Sequence, residues 1–223
     1  MAVTVSRKPA NYTLGEERFN MITHIVGGGL GVVALVFCVI VAVFNYNVWG
    51  VVSGAIYGSS VILLFTMSSI YHGLPLGLPK HIFRILDHCT IFILIAGTYT
   101  PILLNRFREV YPVDAWVMFG ILWGLAILGI TLNAVNMKRF IVFSVISYIG
   151  MGWTAVFRIN RLVEVLGAPF FTLILAGGVF YTVGVLFYAI GSKKKYMHSV
   201  FHLFVNAASA LHSVAIIVFV MPG

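Results

Sequence analysis

Ile22–Phe44 reads ITHIVGGGLGVVALVFCVIVAVF, a run without a Lys, Arg, Asp or Glu. A helix rising 1.5 Å per residue needs about 20 mainly apolar residues to cross the hydrocarbon core of a bilayer. The run meets that length and exceeds the roughly 7–15 apolar residues of a cleaved signal peptide, so it is expected to be retained as a first span. Working outward, six further mainly apolar stretches reach a similar length, at about 49–71, 82–104, 114–134, 140–158, 168–190 and 198–220. They lack the in/out alternation of a lipid-facing barrel strand, and in lipid a helix satisfies its own backbone, so helices are expected. Composition agrees: 61% of the 223 residues are hydrophobic and 9% charged, against roughly 25% charged in a soluble domain. So few charges cannot cover a water-facing surface. The expected fold is an all-α membrane protein, a seven-transmembrane-helix bundle. Residues 1–20 are expected to form a cytoplasmic N-terminal segment and residues 21–223 one transmembrane domain.

Lys and Arg accumulate in cytoplasmic loops. Arg7, Lys8, Arg18, Lys80, Arg84, Lys138, Arg139, Lys193, Lys194 and Lys195 fall on one side of the expected spans; only Arg106, Arg108, Arg158 and Arg161 fall on the other. This bias predicts an N-terminus inside and a C-terminus outside. The net charge of +8 is then explained by orientation and contact with lipid headgroups rather than nucleic acid, and membrane lipid is the expected partner. Cys38 and Cys89 sit in apolar runs and read as small buried hydrophobes. Gly27, Gly28, Gly29, Gly31, Gly120, Gly124, Gly129, Gly177, Gly178 and Gly184 are expected at close helix contacts. Trp49, Tyr71, Tyr111 and Trp116 fit an interfacial belt.

Ionisable groups inside a membrane are costly and therefore mark functional sites by default. With the orientation above, His72 ends span two at the cytoplasmic face. Asp87 begins span three, His24 begins span one, and His198 and His202 begin span seven at that same face. His198 and His202 are four apart and share one helix face, as do Ser68 and His72. His212 lies about 21 Å farther along the axis than His198, at 1.5 Å per residue, and belongs to the outer half, near Ser209.

Three neutral imidazoles from two helices are a natural zinc site, and three protein ligands plus water is its catalytic form. His72, His198 and His202 are the candidate metal ligands. Asp87 is the candidate general base, and Ser68 the candidate to orient a ligand or hydrogen-bond an oxyanion. Simpler readings stand beside these. Ser68 could bond its own helix backbone, Ser69 competes for its role, and Asp87 has a second reading as a structural partner of Arg84. His81 and His88 read as ordinary, and Glu16, Glu17 and Asn20 as the solvated first turns of span one.

Four motifs in order, Glu17-x-x-Asn20-x-x-x-His24, Ser68-x-x-x-His72, Asp87-His88 and His198-x-x-x-His202, with "IAGTYTP" after the aspartate, carry a family likeness. The chain resembles the hemolysin III branch of the progestin and adipoQ receptor family, and its short N-terminal segment is most similar to the bacterial members. The resemblance implies seven helices with the N-terminus inside, zinc on His72, His198 and His202, and Asp87 and Ser68 close to the metal and its water. The wider superfamily includes adiponectin receptors and alkaline ceramidases, proposed to be metal-dependent hydrolases of lipid amides. For Glu17, Asn20 and His24 the expectation is packing over the cytoplasmic mouth.

Three functions remain open at this point. The first is a zinc-dependent amide or ester hydrolase with a lipid-like substrate; the second is a membrane regulator or sensor with structural zinc. The third is an oligomeric pore, which needs a polar lining through the full thickness. A retinal-type photoreceptor is excluded, because span seven has no lysine for a Schiff base.

Overall fold

The first helix opens on a reciprocal cap. In the computed structural model, which describes residues 12–191 and 193–222, Thr13 precedes α1 (Leu14–Phe44). Its hydroxyl accepts from the Glu16 amide at 3.3 Å while the Glu16 carboxylate accepts from the Thr13 amide at 2.8 Å. Two amides that a helix start leaves orphaned are thereby satisfied. The helix thus begins inside the segment 1–20 expected to precede the bundle. The part of that segment before residue 12, Arg7 and Lys8 included, lies outside the described residues.

Asn47 caps α2 (Val48–Gly73) by accepting from the Gly50 amide at 2.8 Å. α3 (Leu78–Ile102) has Pro79 in its first turn, where a missing N–H is harmless. Past Pro101 it runs on through a π turn, Leu103–Phe107, and a short helical turn, Arg108–Val110. α4 (Pro112–Gly152) leads through a 3-10 turn, Trp153–Arg158, into the short α5 (Ile159–Leu166). Gly167, at φ 85°, supplies the left-handed corner before α6 (Ala168–Gly191), a conformation that strains residues with a Cβ. α7 (Met197–Ala215) is prolonged by a second π turn, Ile216–Val220.

Among the described residues six helical runs are long and apolar enough to cross a membrane, where seven separate stretches were expected: Leu14–Phe44, Val48–Gly73, Leu78–Val110, Pro112–Leu166, Ala168–Gly191 and Met197–Val220. The difference lies in Pro112–Leu166, which holds both stretches expected at 114–134 and 140–158. Its backbone leaves helical geometry at Asn136 (φ −161°, ψ 81°), whose side chain accepts from the Arg139 amide at 3.1 Å, as an N-cap does. Before Asn136, Trp123 Nε1 donates to Thr100 Oγ1 at 3.1 Å and Gly129 packs on Phe92. After it, the Tyr148 hydroxyl donates to the His88 carbonyl at 2.7 Å, and Tyr99 to the Gly152 carbonyl at 2.7 Å. The two limbs of α4 therefore run in opposite directions along α3.

Around the bundle α4 packs on α3, α3 on α2, α2 on α1, α1 on α7 and α7 on α6. The circle is closed between the chain after α4 and α6 by the Trp153 Nε1 to Thr182 Oγ1 hydrogen bond of 3.0 Å. Cys38 and Cys89 are buried free thiols, as expected. Trp49 and Trp116 are exposed at a shared edge, rings 6.1 Å apart, whereas Tyr71 is buried rather than interfacial.

The glycines divide by contact. A Cβ on Gly129 would collide with the Phe92 ring, and on Gly58 would lie 2.5 Å from Leu35 Cα. Gly29, Gly120, Gly124 and Gly178 have no such neighbour within 4 Å, so the expectation of close packing fails at those positions. Gly129→Ala should therefore cost about 1–3 kcal/mol through overpacking, read as a lower midpoint of thermal unfolding in detergent by tryptophan fluorescence. Gly120→Ala should leave that midpoint unchanged or slightly raised.

Candidate metal centre

Helical spacing alone brings Ser68 and His72 to one face at the end of α2, and His198 and His202 to one face at the start of α7. The fold then sets those faces against each other. One ring nitrogen from each of His72, His198 and His202 lies within 4.8 Å of the others, and all three residues are buried. His198 Nε2 and His202 Nε2 are 3.1 Å apart; two ligands held about 2.0–2.1 Å from one tetrahedral ion stand about 3.4 Å apart. His72 Nε2 is buried and has no hydrogen-bond partner among the described residues. A buried acceptor left unmade costs about 1–3 kcal/mol, and a shared cation would satisfy it. The three histidines could hold a metal ion.

One face of α1 supports this cluster from behind. The Glu16 carboxylate accepts from the Tyr196 amide at 2.6 Å, where Tyr196, at φ 62°, turns the chain into α7. Asn20 Oδ1 accepts from the Ser199 hydroxyl at 2.7 Å. The His24 ring stacks on His202 with centroids 3.7 Å apart. Glu17 Oε2 lies 2.6 Å from His72 Nδ1, and Glu17 Oε1 lies 3.0 Å from Lys80 Nζ. The simpler reading of Glu16, Glu17 and Asn20 as solvated first turns is thus corrected for Glu16, 3% exposed, and Asn20, 0%, while Glu17 is half-buried; His24, expected at this end, is buried as well. Lys80, counted among the loop cations, is also buried, donating to the Tyr71 and Leu74 carbonyls at 2.9 and 3.0 Å. The available signal was the spacing of Glu16, Asn20 and His24, polar residues at every fourth position leading into an apolar span.

Beyond the histidines a cavity of about 190 Å³ extends into the bundle. Ser68, Asp87, His198 and His202 border one end, Leu64, Leu94 and Val205 are among its apolar walls, and Tyr181, Thr182 and His212 border the other. Ser68 is buried and its side chain meets that of Asp87. Arg84 shares the cavity wall but closes no ion pair with Asp87, which weakens the structural-partner reading of that aspartate. Ser69 bonds its own helix, donating to the Phe65 carbonyl at 2.7 Å, and drops out as a competitor.

His88, expected to be ordinary, also borders the cavity. His212 stands apart from the cluster as expected, its Nε2 3.0 Å from the Ile174 carbonyl; Tyr181 packs against its ring and reaches Ser209 at 2.7 Å. Tyr12, which the sequence alone did not single out, stacks on His198 at 4.8 Å. Burial pushes its hydroxyl pKa upward, so it stays protonated over the physiological range.

Residues 12–213 match the family described as "Haemolysin-III related". The chain is 39% identical over 207 residues to Hemolysin-3 of Bacillus cereus, covering 93% of each protein. It is 38% identical over 199 residues to the Hemolysin-3 homolog of Bacillus subtilis (strain 168), covering 89% of this chain and 92% of that one. A more distant relative is the human Monocyte to macrophage differentiation factor, 27% identical over 219 residues and matched over 94% of this chain and 88% of its own length. Six membrane-length apolar helices and this match over most of its length make the chain a multi-pass integral membrane protein of the bacterial cytoplasmic membrane and a member of the haemolysin-III related family.

Proposed function

We propose that this protein is a zinc-dependent hydrolase of a lipid amide or ester, acting from inside a bundle that crosses the membrane seven times with its N-terminus cytoplasmic. The observation that carries the reading is the convergence of three buried imidazoles, two of which border one end of a largely apolar cavity together with a carboxylate and a serine. The opposed limbs of α4 support the seventh crossing, and the surplus of Lys and Arg on one side of the crossings supports the orientation.

The donor set fits zinc: neutral nitrogen ligands, three of them, with the remaining position free for water. His72, His198 and His202 would hold the ion, which when bound supplies Lewis acidity and lets a water act as nucleophile near neutral pH. Asp87, bordering the same cavity, takes the proton released as that water forms the new C–O bond. It then returns the proton to the leaving nitrogen or oxygen as the C–N or C–O bond breaks, giving a carboxylic acid and an amine or alcohol. Ser68, beside Asp87, donates to the carbonyl oxygen on which charge develops. The apolar walls receive the acyl chain and exclude bulk water. The seam between the second limb of α4 and α6, where Gly152 and Gly178 both border the cavity, is the lateral path from lipid in this reading.

A second reading has its own observation. His72 lies on α2 and both other ligands on α7, so a bound ion would tie two helices that flank α1, as a structural clamp in a regulator or sensor. Metal analysis and turnover separate the possibilities. Purified wild-type protein should carry about one zinc, and His72→Ala, His198→Ala and His202→Ala should each lose it; a metal-free wild-type protein, assayed after purification without chelator, would sink both readings. Asp87→Asn should keep the zinc and the thermal midpoint while lowering fatty-acid release from ceramide-like lipids by about 10²–10⁴-fold. Wild-type turnover no greater than that of Asp87→Asn would leave the clamp.

A further inference from the structure

The first motif of the chain has no part in the chemistry above, yet one of its residues touches a candidate ligand. Glu17, in the first turn of α1, directs its two carboxylate oxygens to different partners: Oε2 to His72 Nδ1 at 2.6 Å and Oε1 to Lys80 Nζ at 3.0 Å. Lys80 has three N–H donors, and three acceptors meet it: Glu17 Oε1, the Tyr71 carbonyl at 2.9 Å and the Leu74 carbonyl at 3.0 Å. Two of these are backbone groups at the end of α2, the helix that carries His72. The ammonium is therefore fully used and held in place, its side chain 4% exposed, and it locks the carboxylate in turn.

The consequence for His72 follows from donor and acceptor roles. An ionised carboxylate only accepts, so the ring nitrogen facing Glu17 must be the one bearing hydrogen. The lone pair is then on Nε2, the buried nitrogen without a hydrogen-bond partner among the described residues. His198 and His202 differ: there it is Nδ1 of each that is buried without a partner among those residues.

We infer that Glu17, held by Lys80, is a positioning residue for His72, fixing the Nδ1–H tautomer and ring orientation so that Nε2 is presented to the metal. Removal of such outer partners typically costs 10–100-fold in metal affinity. The inference rests on the metal reading of the preceding section and extends it to the otherwise unassigned first motif.

The test uses full-length protein in detergent, with zinc affinity measured against a chromogenic chelator and histidine tautomers read from ¹⁵N chemical shifts of the metal-free protein. Metal-free wild type should show His72 as the Nδ1–H form. Glu17→Ala should release that form and weaken zinc about 10–100-fold. Glu17→Gln, whose amide oxygen can still accept, should retain the tautomer and recover part of the affinity. Lys80→Met should weaken zinc by a smaller factor through a loosened carboxylate. A wild type that binds no zinc would overturn the metal reading and this inference together. Zinc held equally by wild type and Glu17→Ala, with His72 in the same tautomer in both, would overturn this inference alone and leave the metal reading standing. Lower thermal stability of metal-free Glu17→Ala with unchanged affinity would reduce Glu17 to a structural contact, again overturning it.

Discussion

In a hydrocarbon solvent a polar side chain has no water to fall back on, and every buried donor or acceptor must be answered from within the protein. The architecture at the histidine end follows from that constraint. The starts of α1, α3 and α7 and the end of α2 bring Glu16, Glu17, Asn20, His24, His72, Lys80, Asp87, His198 and His202 to the same end of the bundle. Most of these find each other: Glu16 the Tyr196 amide, Asn20 the Ser199 hydroxyl, Glu17 both His72 and Lys80. What is left over is informative. The nitrogens without partners among the described residues are concentrated on the histidines of this one cluster and on Asn20 and His88 near it.

The opposite end obeys the same constraint by a different route. Asn105 sits at a non-helical point of the π turn, is 1% exposed, and donates to the Val220 carbonyl at 2.5 Å while accepting from Asn47 at 2.8 Å. Pro101, four residues earlier, removes a helical donor and loosens the last turns of α3. Here the polar groups pair completely and serve to join helix ends. The contrast between a satisfied network at one end and an unsatisfied cluster at the other separates architecture from candidate chemistry without reference to any relative.

Much of this was legible in the chain. Apolar runs gave the helices, and i, i+4 spacing put His198 with His202 and Ser68 with His72. Loop charges and rise per residue separated His212 from the cluster. The failures share a cause. The simpler reading of Glu16 and Asn20 as solvated turns and of Lys80 as loop charge fails, while the family likeness pointed to packing over the mouth; a one-dimensional pattern does not reveal that the start of α1 is covered by the start of α7. The expected spans 114–134 and 140–158 fall in one run, Pro112–Leu166, as two limbs joined at Asn136, where the backbone leaves helical geometry. Several glycines looked alike in sequence, yet contact distinguishes Gly129 from Gly120 only once Phe92 is seen beside it.

α1 is the element whose importance the sequence most understates. Its first two turns touch both helices that bear the histidines, through Glu17 to α2 and through Glu16 and Asn20 to the start of α7. α1 packs against both α2 and α7, so its N-terminal turns stand against both helices that carry the histidines. Tyr12, just upstream of α1, adds a stacking contact with His198. A cluster built across two helices needs a third to set their spacing, and in this fold that third element is the one nearest the cytoplasmic N-terminus of the proposed topology. The polar face of α1 is therefore part of the candidate centre, although no atom of it belongs to the set of three nitrogens.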